Sequence, residues 1–166
     1  MGVEDVVSVE SERVDIHPGA PAVSRAMGAL EREIKVEPRL RELVKLRASI
    51  LNGCAYCIDF HSKRARRAGE SEQRIYTLAA WQDAPFFSDS ERAALALTDA
   101  VTLVAEKHAP TEVYEEAARY FDSEELAHLT WQIATINVWN RLSIATRASV
   151  GAYGPYGADV HAVATT

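Results

Sequence analysis

The stretch that most constrains this chain is residues 42–61, Glu-Leu-Val-Lys-Leu-Arg-Ala-Ser-Ile-Leu-Asn-Gly-Cys-Ala-Tyr-Cys-Ile-Asp-Phe-His. Leu40, Leu43, Val44, Arg47 and Leu51 recur at helical spacing, so a helix opens at Pro38 and runs to about Leu51. Asn52-Gly53 is a turn signal that stops it. A second helix starts at Cys54 or Ala55 and ends at Gly69, which suits the position just past a helix C-terminus. Two helices joined by so short a turn fold back as an αα-hairpin. Glu42 lies ten residues before Asn52 and His61 eight after Gly53, so each sits about 12–15 Å from the turn at 1.5 Å per residue. Glu42 can then face His61 across the hairpin.

The rest of the chain reads as helical too. Residues 1–17 lack sustained periodicity and carry several acids, as expected of an extended N-terminal arm. Pro18 and Pro21 open a helix through about Glu33 with Val23, Met27 and Leu30 as its inner stripe. Ser71 or Glu72 starts a short helix to about Trp81, and Ser88-Asp89-Ser90-Glu91 fits a capping box ahead of a stripe at Ala94, Leu97, Val101 and Val104. Pro110 and Thr111 begin a helix to about Phe121. Asp122-Ser123 cap a long final one that ends before Gly151. That last helix is apolar nearly all round, from Leu126 to Ile144, which implies a central position or a face shared with another subunit. The expectation is an all-α protein with a single helical domain of about six to seven helices over residues 18–150, an arm at 1–17 and a tail at 151–166.

Composition excludes some roles. The 166 residues carry a net charge of −6, which gives no global case for binding nucleic acid or an anionic membrane. No apolar run approaches a membrane span, and the acidic start lacks the basic and apolar regions of a signal peptide. Two cysteines three residues apart are no secreted disulfide framework, so a cytoplasmic, reducing location is expected. Lys63, Arg64, Arg66 and Arg67 form a basic run that reads first as a solvated helix face and second as a docking patch.

Cys54, Cys57 and His61 share a helix face at positions i, i+3 and i+7. In the first turn, unpaired N–H groups and the macrodipole favour a thiolate, which is the reactive form of cysteine. His61 can take the proton from Cys57, and Glu42 can orient the imidazole as the third member of a triad. The C-x-x-C spacing lets one thiol attack a sulfenic acid formed on the other. Other readings stay open. Structural zinc needs four ligands, and His17, His108, His128 and His161 are scattered without paired spacing. The cysteines could be inert core residues, and Glu42 an ordinary ion-pair partner of Arg47.

The pattern E-x11-C-x-x-C-x-x-x-H, with Leu-Val-x-Leu-Arg-x-Ser before it and Asn137-Val-Trp-Asn-Arg141 later, resembles the alkylhydroperoxidase D-like branch of the carboxymuconolactone decarboxylase superfamily. The resemblance covers roughly residues 20–150. It implies an AhpD-like helical fold with the C-x-x-C at a helix N-terminus, usually as a homo-oligomer, a trimer or a hexamer. It also implies a thiol-dependent peroxidase or disulfide oxidoreductase in which Cys57 meets the peroxide, Cys54 closes the disulfide, and Glu42 and His61 relay protons. No tightly bound cofactor is implied. The electron donor would be an external thiol, a lipoyl-type dithiol or a peroxiredoxin-type partner. Tyr56 stands where the best-studied peroxidases of this kind carry histidine, and Ile50 where glutamine is expected. The decarboxylases of the superfamily lack this cysteine pair. The alternative is a redox adaptor or sensor that passes disulfides between proteins and barely touches peroxide.

Overall fold

Pro38 opens the helix on which the others are assembled. It takes the first position of α3 (Pro38–Asn52), where its missing N–H has no intrahelical partner to lose. The carboxylate of Glu37 caps that end by accepting from the Leu40 N–H at 2.8 Å. Eight consecutive residues, Glu42 to Ser49, are buried, so α3 is covered on every side.

The structure is a computed structural model, and it describes residues 13–151. Around α3 stand α1 (Ile16–Gly19), α2 (Pro21–Glu33), α4 (Ala55–Arg67), α5 (Glu72–Thr77), α6 (Asp89–Thr102), α7 (Val104–Lys107), α8 (Thr111–Ala117) and α9 (Ser123–Thr146), with a 3₁₀ turn at Leu78–Ala80. Among the described residues all regular structure is helical. The count exceeds the expected six to seven because α1 and α7 are single four-residue turns, too short to leave a periodic signal. The C-terminal tail beyond Gly151 and residues 1–12 of the arm lie outside the described residues.

Two apolar clusters meet on α3. On one side Leu43 and Leu46 pack with Ala65, Ile75, Leu78, Trp81, Phe87 and Leu95. On the other Val44 packs with Ala94, Leu97, Leu126, Leu129 and Ile133. The capping boxes at Ser88/Glu91 and Asp122/Glu125 both form and fix the starts of α6 and α9.

Two expectations change. Val23 is 70% exposed, and α2 buries none of its residues, so its apolar stripe is not sealed in a core. Helix α9 is not the central element. Its inner face (Leu129, Ile133, Ile136, Asn140) is buried, whereas Trp131, Val138 and Ile144 are exposed, Trp131 at 55%. Helix α3 takes the centre because it alone runs between α4, α6 and α9.

Candidate active site

The hairpin forms as the turn chemistry requires. Gly53 adopts a left-handed conformation (φ 68°) that an L side chain rarely enters, and ends α3. Its N–H donates to Ile50 O at 3.2 Å, and the Cys54 N–H to Ser49 O at 3.0 Å. Cys54 is therefore the N-cap of α4 and not its first residue. Its Sγ accepts from the Cys57 N–H at 3.3 Å.

Side chains of α9 clamp this turn. Asn52 Nδ2 lies 3.0 Å from Asn137 Oδ1 and 2.8 Å from Asn140 Oδ1. Asn140 Nδ2 donates to Ser49 Oγ at 3.0 Å, and Arg141 donates to Asn137 Oδ1 at 2.9 Å. The Asn137–Arg141 segment singled out in the sequence is thus the brace that holds the cysteine turn in place.

Cys54 and Cys57 form a disulfide with Cα atoms 5.3 Å apart, inside the usual range for a bridge. Both residues are buried, at 1% and 3% exposure. Only Cys57 lines the cavity of about 740 Å³ that opens beside them, together with His61, Tyr56 and Phe60.

Across the hairpin, His61 Nδ1 lies 2.9 Å from Glu42 Oε2, as the distance count along the two helices anticipated. Burial by itself would raise the Glu42 pKa. The hydrogen bond and charge of His61, with the charges of Lys45 and Arg64, outweigh it and hold the carboxyl at about 2. An ionised carboxylate only accepts, so Nδ1 carries the hydrogen and Nε2 is left as the proton-accepting nitrogen. Burial lowers the His61 pKa below its ordinary value. The bond to Glu42 opposes this and the cations Lys45 and Arg64 reinforce it. The imidazole is thus neutral at neutral pH, the form that a general base needs.

Sequence reading missed the cations around Glu42. Arg64 Nε donates to Glu42 Oε1 at 3.3 Å, and Arg41 Nε lies 3.5 Å from the same oxygen. Arg64 had been grouped with the basic run, and position 64 lies one turn beyond His61 on the same face, which was the available signal. Arg47 is not the mate of Glu42. It forms a two-pronged pair with Asp99, at 2.7 and 2.8 Å, because five residues of helix turn it about 140° away from Glu42. Within the basic run, Lys63 pairs with Asp59 at 2.9 Å and Arg66 with Glu72. Among the described residues no three His, Cys, Asp or Glu side chains gather where they could hold a metal ion.

The site is thus a helical hairpin with a disulfide-bonded C-x-x-C at its turn and a carboxylate–imidazole pair along it. The chain belongs to the carboxymuconolactone decarboxylase family, whose profile matches residues 19–100. It is 43% identical over 138 residues to the uncharacterized protein YdfG of Bacillus subtilis, covering 81% of this chain and 94% of that one. Its fold matches a protein of unknown function from Agrobacterium tumefaciens, described as a candidate antioxidant defence protein AhpD. That match has a TM-score of 0.82 and 38% identity over 84% of this chain and 98% of the other. The debrominase Bmp8 is similar at a TM-score of 0.70 and 25% identity, over 81% of this chain and 74% of its own.

Proposed function

We propose that the protein is an enzyme, a thiol-dependent hydroperoxidase that cycles through the Cys54–Cys57 disulfide. The observation that carries this reading is a disulfide with one sulfur-bearing residue, Cys57, on the cavity beside a neutral, carboxylate-oriented His61.

In the reduced enzyme His61 draws the proton from the Cys57 thiol. The thiolate attacks a peroxide oxygen, the O–O bond breaks, and the departing alkoxide takes the proton back from His61 as an alcohol. Cys57 is left as a sulfenic acid. Cys54 attacks its sulfur, the S–S bond forms and hydroxide leaves as water. An external dithiol then attacks at Cys57, closes its own disulfide and returns both thiols. The net change is hydroperoxide plus dithiol to alcohol, water and disulfide.

The burial of both sulfurs supports a slender dithiol of the lipoyl type as donor, and weighs against an adaptor that exchanges disulfides with folded partners. The intramolecular pairing of Lys63, Arg64 and Arg66 weighs against a docking patch as well. Reductive debromination is a second reading, favoured by the aromatic side chains Tyr56, Phe60 and Trp139 on the cavity and by the similarity to a debrominase. It would draw on the same two thiols, with bromide in place of water as the leaving product.

The test is steady-state reduction of an organic hydroperoxide with dihydrolipoamide. Wild type turns over and Cys57→Ser does not; full turnover in the variant sinks the proposal. Loss of bromide from a bromopyrrole, with no peroxide turnover, selects the second reading.

The exposed Trp131 and Val138, two turns apart on one face of α9, support a homo-oligomer built on that face. Sedimentation of wild type as a monomer at micromolar concentration would remove that inference.

A further inference from the structure

The cavity beside Cys57 is charged against the trend of the molecule. The chain as a whole is at −6, yet four cations, Arg32, Arg41, Lys45 and Arg64, line this wall with only Asp15 and Glu31 as lining carboxylates. Most of these charges are answered locally. Lys45 Nζ sits 2.7 Å from Glu31, Arg41 and Arg64 share Glu42, and Asp15 accepts from the His17 N–H at 3.0 Å. Arg32 has no ion-pair partner among the described residues.

Its guanidinium is also held against the cavity. Gly28, one helical turn earlier on α2, lines the same wall, and a Cβ there would stand 3.7 Å from Arg32 Nη1. The long side chain therefore lies back over a position with no side chain of its own. The remaining wall is mixed, with the polar side chains of Gln132, Ser143 and Thr146 beside an aromatic group. Tyr56 and Phe60 stack with centroids 6.1 Å apart, and Ile34 and Trp139 lie beyond them.

We propose that this cavity selects molecules with a carboxylate head on an apolar or aromatic body, and that Arg32 receives the head. Among the described residues the lining cation without an ion-pair partner is Arg32, and aromatic surface shares its wall, which is the complement of such a ligand. The inference deepens the hydroperoxidase reading and rests on it only for the reacting group. The carboxylate could belong to the oxidant or to the dithiol donor, since both must reach Cys57 through this opening.

Binding tests the charge preference without any turnover. Calorimetry with naphthoate and its neutral twin naphthamide should give an affinity ratio of about fivefold for the acid at low salt, the scale of one rim ion pair. The ratio should fall toward unity in Arg32→Gln, invert in Arg32→Glu and persist in Arg32→Lys. Arg32 is exposed and makes no ion pair among the described residues, so these variants should fold. Equal affinities in wild type, or a preference that survives Arg32→Gln, overturns the proposal.

Kinetics then locates the head. An aromatic hydroperoxide as free acid or methyl ester, with dihydrolipoamide as donor, assigns it to the oxidant. Dihydrolipoate against dihydrolipoamide, with cumene hydroperoxide, assigns it to the donor. No difference in either arm removes selection by charge. Acid-selective binding with no peroxide turnover would leave the cavity assignment standing and remove the hydroperoxidase.

Discussion

Helix α3 carries three buried charged side chains, Glu42, Lys45 and Arg47, and the surroundings of Glu42 and Arg47 differ in kind. Arg47 makes two parallel bonds to Asp99, donates to the Ala79 carbonyl at 2.8 Å, and shares Asp99 with Trp81 Nε1 at 3.2 Å. The planar guanidinium is saturated by a carboxylate and a carbonyl, and it is buried in the packed side of the molecule. Glu42 instead meets an imidazole that burial holds in its neutral form and that borders an open cavity. A saturated guanidinium–carboxylate pair holds helices together. A carboxylate bonded to one nitrogen of a histidine leaves the other nitrogen available for chemistry.

The sharpest way to break this contrast is to remove Arg47. Arg47→Met leaves the half-buried Asp99 without its cation and should cost about 3 kcal/mol of stability, read as a lower urea midpoint. Turnover per folded molecule should be kept. Lost turnover at unchanged stability would mean that the Arg47 pair belongs to the site.

His61→Gln should behave in the opposite way. It keeps a hydrogen-bonding group beside Glu42 but no titrating base, so kcat/KM should fall about a hundredfold with little change in the urea midpoint. A variant as active as wild type would assign proton transfer to another group.

The smallest effect is on pH dependence. Glu42, held at about 2 in the fold against 4.5 as its ordinary value, contributes stability above pH 4.5 that is lost as pH falls from 4.5 toward 2. His61 is held neutral, so an unfolded chain takes up its proton first and the fold also loses stability below pH 6.5. Urea midpoints should therefore fall in two stages on acidification, and Glu42→Gln should flatten the lower one. An unchanged profile in that variant would place the acid-labile group elsewhere.

The elements with strong local codes were readable before any coordinates. The Asn52-Gly53 stop, the capping boxes at Ser88 and Asp122, and the pairing of Glu42 with His61 follow from turn chemistry and from helix rise alone. Where periodicity was the only guide the reading slipped, as at Val23. A stripe records which residues share a face and not what that face meets. The same limit leaves α9 with two readings, a central place or a face shared with another subunit, and the first fails because α3 holds the centre.

By itself, then, the chain order determined a helical hairpin with two sulfurs at its turn and an acid–imidazole pair along it, because these lie within a few helical turns of one another. Only the tertiary structure decided which cations surround Glu42, which cysteine borders the cavity, and that Arg32 meets no carboxylate among the described residues at its rim. Those outcomes depend on contacts between α2, α3, α4 and α9, far apart in sequence, and no local spacing encodes which charged side chain will find its partner already taken.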